Sequence, residues 1–476
     1  MAEINTTRCE IERAIFRSHD LTQKVDLSTN FITSFELTQS MGSVAYTGSA
    51  NILDTTGILE SFPLRGEERL DLWFRSYDLD TLVKLNVRVF RINNIQPSLN
   101  SNSVAYTIHF VSEATFDAST KSLIEPFTSS ISGAVHKVFK NNYRNLPNKA
   151  QGDALDPDDK TKVLPFATQR YELKDEQYGR NLFITPTVGV AKFIIPDMTP
   201  AEAINFMCSR SYNPGTPSQT FRFFETFNNY YFCPDEYFVK DPKVVHELFY
   251  APVVDLGPQN IEAQFKRVEA INVVSKGIDS AMDLASGSYR NEVVEVDLVR
   301  RKFTISKFNF DNTEYYDMSG TKRKSDANPH SESFRQDIFT EENAKRFMVF
   351  RNYSSPGDIP SNLSQDKHYA DIVQNRVSYY HHLNNTTLTA SLKGRLDITP
   401  GEIVNLDIKA LDSDGKSVVN NSLAGRYLVY ATNHSVDEAS TLSTTLKLVK
   451  FDWDAGDKPE QSQDFIDNAV ISGGAG

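Results

Sequence analysis

From Arg13 to about Glu113, apolar and polar residues alternate. Phe31, Phe35 and Leu37 share one parity, as do Ala50 with Ile52, Leu70 with Leu72 and Phe74, and Leu85 with Val87 and Val89. After the polar stretch 97–103, Val104 opens another such run, with Tyr106, Ile108 and Phe110 on one side. Successive side chains on a strand point to opposite faces, so this pattern predicts half-buried antiparallel strands bounded by Asn, Ser, Gly and Pro. Several such strands at short spacing predict a closed or nearly closed barrel or a sandwich.

The period changes after Phe116. Ile131, Val135, Val138 and Phe139 fall on one helical face, with Ser130 or Ser132 placed to cap it. At Thr199 the chain states a helix start: Thr199 can cap, Pro200 suits the first helical position, and Glu202 can reach back to close a capping box. Ala203, Ile204 and Met207 supply its buried face. The run from Phe221 to Phe224, a turn at Asn228-Asn229 and the run from Tyr230 to Phe232 predict an aromatic hairpin. Gln259 to Asp283 leans helical, Glu292 to Phe310 alternates again through Val294, Val296 and Leu298, and 311–365 is a long polar interval expected to be a partner-facing insertion or locally disordered. Tyr369, Ile372, Val373, Val377, Tyr380 and Leu383 fit a helix, strands resume from Leu388 to Phe451, and an acidic tail follows.

Composition sharpens this. The 476 residues suffice for about two to four domains. The 31 Phe and 20 Tyr against 2 Trp favour pleated, half-buried surfaces. Cys9, Cys208 and Cys233 are odd in number and far apart, which excludes a disulfide framework or a zinc knuckle and leaves buried thiols as the expectation. A formal charge of −12 argues against a dedicated nucleic-acid binder. No segment approaches the roughly 18 apolar residues of a membrane span, and Met1 to Glu12 lacks the pattern of a secretory signal.

The first and last strand regions echo one another. Gly66-Glu67 precedes Leu70 and Leu72, and Gly401-Glu402 precedes Val404 and Leu406; each unit is followed by a hairpin, at 85–111 and at 426–451. The apolar sets are offset by one residue relative to their glycines. With a strand period of two, a bulge or a changed turn must absorb that offset. Duplication explains the echo; so does chance in a chain this rich in strands.

The blocks from Ala45 to Asp54 and from Phe62 to Glu67 resemble the first-barrel signature of baseplate central hub proteins of contractile-tailed phages, a fold shared with the hub part of type VI secretion spike proteins. The resemblance continues at Val111 to Glu113, at Phe193 to Ile204 with Thr199, Pro200 and Glu202, through the aromatic hairpin, at Leu396 to Glu402 and at Gly425 to Val429. It implies an α+β, mainly β chain with two tube-like antiparallel β-barrel domains plus two smaller mixed α/β accessory domains. The barrels would occupy 1–116 and 246–311 with 385–452, the accessory parts 117–245 and 312–384, and the acidic tail 453–476.

It also implies a homotrimer whose six similar barrels form one ring, joining a six-fold tail tube to a three-fold spike while DNA passes through. Gly66, Glu67, Leu70, Leu72, Gly401, Glu402, Val404 and Leu406 would then be ring-building positions. Tube or tube-initiator proteins, the spike and surrounding wedge proteins would be partners, in a virion assembled in the host cytoplasm. The resemblance assigns the hub no catalytic residue, cofactor or metal.

Other chemistry is weak. His381 and His382 are adjacent on a predicted helix and point about 100° apart, so they cannot chelate one ion together. Asp153, Asp156, Asp158 and Asp159 lack calcium-loop spacing, and Asp412 to Gly415 is first a hairpin turn. Lys322 to Lys324 is a compact basic run, expected in a solvated loop. Two competing readings are a tail-associated cell-wall hydrolase, acting through a carboxylate pair that the sequence does not single out, and a tail-tip adhesin.

Overall fold

A computed structural model describes residues between Arg8 and Lys450, except 144–149, 152–168, 174–180, 251–260, 277–284, 325–344, 352–367 and a few shorter stretches. The acidic cluster at Asp153 to Asp159, the turn at Asp412 to Gly415 and the acidic tail lie outside the described residues.

The chain is mainly β, and one sheet of 14 strands dominates it. Twelve of these strands form two units of six. The first unit holds β1 (Cys9–Arg17), β2 (Ile32–Ser40), β3 (Thr47–Asp54), β4 (Arg69–Ser76), β5 (Thr81–Pro97) and β6 (Val104–Ser112). The second holds β7 (Val245–Tyr250), β8 (Val268–Lys276), β9 (Thr386–Lys393), β10 (Ile403–Leu411), β11 (Gly425–Val436) and β12 (Leu442–Lys450). The alternating residues form these strands because one parity is buried: Leu70, Leu72 and Phe74 in β4, and Leu446 and Leu448 in β12, are fully enclosed. Each unit has its own apolar core.

Within the first unit the strand order is β1-β4-β5-β6-β3-β2. Within the second it is β7-β10-β11-β12-β9-β8. The orders match strand for strand, except that β1 runs antiparallel to β4 and β7 parallel to β10. The units share one sheet: β2 pairs with β11 from Ser40↔Ala431 to Phe35↔Val436.

This joint explains a departure from the expected closed tubes. Among the described residues no continuous ladder closes either unit. In the first, β2 already has β3 on one edge and β11 on the other, so β1 has no edge of β2 to take. Instead the start of β1 meets the β11–β12 turn, through a bridge of Arg8 with Thr441 and a Cys9 N–H bond to the Ser440 carbonyl at 2.8 Å. In the second, β7 and the approach to β8 meet at a single bridge, Phe249 with Arg267.

Helices α1 (Ile131–Asn142) and α2 (Pro200–Cys208) pack with the hairpin of Phe221–Glu225 and Asn229–Pro234 in a core of their own. The Ser130 hydroxyl caps α1, accepting from the Gly133 N–H, and Thr199 with Glu202 closes the expected capping box on α2. Helix α3 (Tyr369–Leu383) lies beside a separate sheet of Arg290–Asp297, Lys302–Asn309 and Lys345–Arg351.

Three expectations change. Strands 290–309, placed by sequence in the second barrel as part of 246–311, instead pair with a strand of the inserted interval; alternation shows that a strand forms, not which neighbour it takes. Of the helical lean over 259–283, the described residues keep a helix at Ile261–Lys266, whereas Ile271 and Val273 suit a strand and pair with β9; 277–283 lie outside the described residues. The basic run Lys322–Lys324 is a short strand against Glu314–Tyr316 rather than a loop.

Candidate functional site

Of the expected ring-building residues, Gly66, Glu67, Gly401 and Glu402 sit in two equivalent turns, and Leu70, Leu72, Val404 and Leu406 in the strands β4 and β10 that follow them. Each turn hinges on a glycine with positive φ, 88° at Gly66 and 94° at Gly401, a conformation other residues adopt only with strain. At the second turn Glu402 folds back so that its carboxylate accepts the Thr399 N–H at 2.8 Å, three residues earlier. At the first turn the residue that does this is Glu68, not Glu67. The buried Glu68 carboxylate accepts the Arg65 N–H, also three residues earlier, together with Gly66 N–H at 3.0 Å and Glu67 N–H at 3.1 Å. Glu67 is exposed, with His19 3.2 Å away.

The backbone agrees. The Glu68 carbonyl accepts from Val89 N–H and the Glu402 carbonyl from Val429 N–H, both at 2.9 Å. Leu70 therefore corresponds to Val404 and Leu72 to Leu406, all buried; Leu70 pairs with Val87, Leu72 with Leu85, Val404 with Tyr427 and Leu406 with Gly425. The one-residue offset between the glycines and their apolar sets is an extra residue in the first turn. It leaves the buried faces of β4 and β10 in step.

Two further irregularities recur at matching positions. The β5–β6 ladder slips between Val89 and Arg91, and the β11–β12 ladder between Val429 and Ala431. The β2–β3 ladder slips between Ile32 and Ser34, and the β8–β9 ladder between Val268 and Ala270. A bulge re-aims a strand and is not repeated casually. The two units thus share their strand order and, in these ladders, the positions of the slips.

The joint between them is dry on one face and polar on the other. Phe35, Leu37, His434 and Val436 are buried there. On the opposite parity the Asn433 side-chain amide donates to Glu36 at 2.5 Å. Burial pushes the His434 imidazole down to about 4, so it is neutral in the fold; its Nδ1 lies 3.1 Å from the Thr444 hydroxyl, and Nε2 has no hydrogen-bond partner among the described residues.

Behind the second turn, the Arg395 guanidinium grips both Asp397 oxygens at 2.7 Å and approaches His246 Nδ1 at 3.3 Å, while His246 Nε2 meets Glu402 at 2.9 Å. Hydrogen bonds from Arg395 and its charge hold the Asp397 carboxyl below its usual range against the pull of burial. In the first unit Asp71 gathers Arg17 at 2.9 Å and Arg69 at 3.0 Å. Burial raises the Glu113 carboxyl, opposed by Arg69 and Arg88 beside it. These clusters tie separate parts of each unit together.

Thr199, Pro200 and Glu202 are remote in role: they start α2 and do not join the two turns. No group of three or more His, Cys, Asp or Glu able to hold a metal occurs among the described residues. Also among the described residues, no helix is long and apolar enough to cross a membrane, which says nothing of membrane-crossing strands. All three cysteines are buried and none forms a disulfide, and burial raises the Cys9 and Cys208 thiols. Sequence reasoning missed Glu68, the paired bulges and the β2–β11 joint; the offset between the two glycines was a signal for the first of these.

No family model matches the chain, and no curated protein matches it. Solved structures similar to it include the tail protein from Neisseria meningitidis MC58, at TM-score 0.47 and 12% identity over 93% of this chain and 98% of that one. The 43 kDa tail protein of prophage MuSo2 from Shewanella oneidensis gives TM-score 0.47 and 9% identity over 93% and 99%. The E. coli c3393 protein, a component of the type VI secretion system, gives TM-score 0.38 and 7% identity over 89% and 74%. The chain is thus similar to tail proteins and to a component of the type VI secretion system.

Proposed function

We propose that this chain is a non-enzymatic structural hub of a bacteriophage tail baseplate, acting as a trimer. Three chains bring six β-units into one ring of pseudo-six-fold symmetry, which joins a six-fold tail tube to a three-fold spike. DNA passes through the ring without specific binding, and wedge proteins surround it in the virion. The observation that carries this reading is the matched register of the two units and their edge-to-edge joint in one sheet. A chain that repeats a unit twice can present a six-fold face with three copies. The charge of −12 per chain suits a wall that repels phosphate rather than one that grips it.

The test is native mass measurement of the purified chain, alone and co-expressed with the neighbouring spike, beside a cell-wall digestion assay. A species of three 53.7 kDa chains without digestion is expected. A monomer under both conditions overturns the ring. Clearing of cell wall that vanishes when one carboxylate is changed supports the hydrolase instead, and binding to host cells by a distal tail protein supports the adhesin.

A further inference from the structure

The repeat itself specifies how one chain meets the next. In the joint within the chain, β2 of the first unit pairs with the far half of β11 in the second. Their counterparts are β8, which matches β2, and the far half of β5, which matches β11. Among the described residues neither counterpart has a strand on the equivalent edge: β8 pairs only with β9, and β5 beyond Arg88 pairs only with β6. Both edges expose apolar side chains, Phe90 (48%) and Ile95 (52%) on β5, Val273 (41%) and Val274 (60%) on β8.

The register can be transferred residue by residue. Through the matched ladders Asn433 corresponds to Asn93, Ser435 to Gln96 and Val436 to Pro97. Likewise Thr38 corresponds to Ser275, Glu36 to Asn272 and Phe35 to Ile271. The joint pairs Asn433↔Thr38, Ser435↔Glu36 and Val436↔Phe35 thus become Asn93↔Ser275, Gln96↔Asn272 and Pro97↔Ile271. Between the outer pairs the joint has one residue on each strand, His434 opposite Leu37. The counterpart strands each have two, Asn94 with Ile95 and Val273 with Val274, because each ladder carries an extra slip there. The two insertions fall opposite one another. Ile95↔Val273 and Asn94↔Val274 then complete an antiparallel register without a break from 93↔275 to 97↔271. A single insertion would have thrown every later side chain onto the wrong face.

We infer that β8 of one chain pairs antiparallel with residues 93–97 of β5 in a second copy of this chain, Ile95 opposite Val273. This rests on the ring reading above and deepens it by naming the edges and their register. The contact is head-to-tail, using different surfaces on the two copies, so it closes only as a ring. It covers two otherwise unpaired edges, and Pro97 with Ile271 and Ile95 with Val273 take the places of the buried pairs Val436 with Phe35 and His434 with Leu37.

Cysteine pairing tests it on the full chain. Ile95→Cys with Val273→Cys changes two exposed residues, and the three native thiols are buried. Mild oxidation should give a covalent species of three chains, closed and reversed by reductant. Gln96→Cys with Val273→Cys, one residue out of register, should give little. A native trimer in which the 95/273 pair stays reduced overturns this register and leaves the ring standing. A protein that is monomeric alone and with the spike overturns both. Ladders that run past three chains keep the edge pairing but overturn closure.

Discussion

Gly66 and Gly401 offer a matched experiment, because the same backbone conformation meets different surroundings. Each has φ near +90°, so alanine at either position carries the left-handed penalty of about 1–2 kcal/mol. At Gly66 an added Cβ finds nothing nearer than the Phe90 carbonyl oxygen at 3.6 Å, which is ordinary contact. At Gly401 it would stand 2.8 Å from two ring carbons of Phe238. That ring cannot swing away freely, since it is buried against Tyr237 (5.0 Å between centroids), Tyr231 (5.3 Å) and Phe224 (5.6 Å). Overpacking of this kind costs about 1–3 kcal/mol. Gly401→Ala should therefore lose roughly 1–3 kcal/mol more than Gly66→Ala. Urea unfolding followed by fluorescence gives both values. Phe238→Leu in the Gly401→Ala background should recover part of the excess, with a favourable coupling of about 1 kcal/mol in the double-mutant cycle. Equal losses from the two glycines, or an additive cycle, would show that Phe238 is not what the second turn is pressed against.

Two further outcomes follow from the same turns and joint. Glu68→Gln places an amide NH2 among three backbone N–H donors and should cost about 1–3 kcal/mol, whereas Glu67→Gln on the surface should stay within about 0.5 kcal/mol; equal values by urea midpoint would refute the assignment of Glu68 as the partner of Glu402. His434 is held neutral by burial, with its proton affinity lowered from 6.5 to about 4. The unfolded chain therefore takes the proton first, so the contribution of His434 is intact above pH 6.5 and is lost as pH falls to about 4. At about 1.4 kcal/mol per pH unit that is roughly 3 kcal/mol. Glu236, raised to about 7 by burial, slopes the other way, its cost growing as pH rises from 4.5 to 7. The readout is thus the difference between wild type and His434→Gln: it should narrow by roughly 3 kcal/mol between pH 7 and pH 4, and parallel stability curves would refute the reasoning.

How much of this was legible depends on which physical signal letters can carry. Alternation marked the strands because burial acts on every second side chain, and Thr199 with Glu202 marked a helix start because a cap is local chemistry. Strand neighbours are different. Residues 290–309 alternate as cleanly as those of the units, yet pair elsewhere, since a ladder is chosen by partners far away in sequence. The extra residue in the first turn was visible as a parity mismatch. Its position was not, because Glu67 and Glu68 are the same letter and only the reach of the carboxylate separates them.

The weakness of the internal echo has a physical cause as well. Gly48 and Phe110 face each other across β3 and β6, and a Cβ on Gly48 would lie 2.5 Å from the Phe110 ring. The matching pair in the second unit is Leu388 with Leu448, both fully buried. One unit fills the space with nothing and a large ring, the other with two mid-sized side chains. Both letters differ while the volume between the strands is shared out anew. Comparison position by position scores that as two mismatches, although the ladder that holds the pair has not moved. The register, and with it the edge each unit offers to the next, is what the repeat has kept; the side chains that fill it were free to trade size across the sheet.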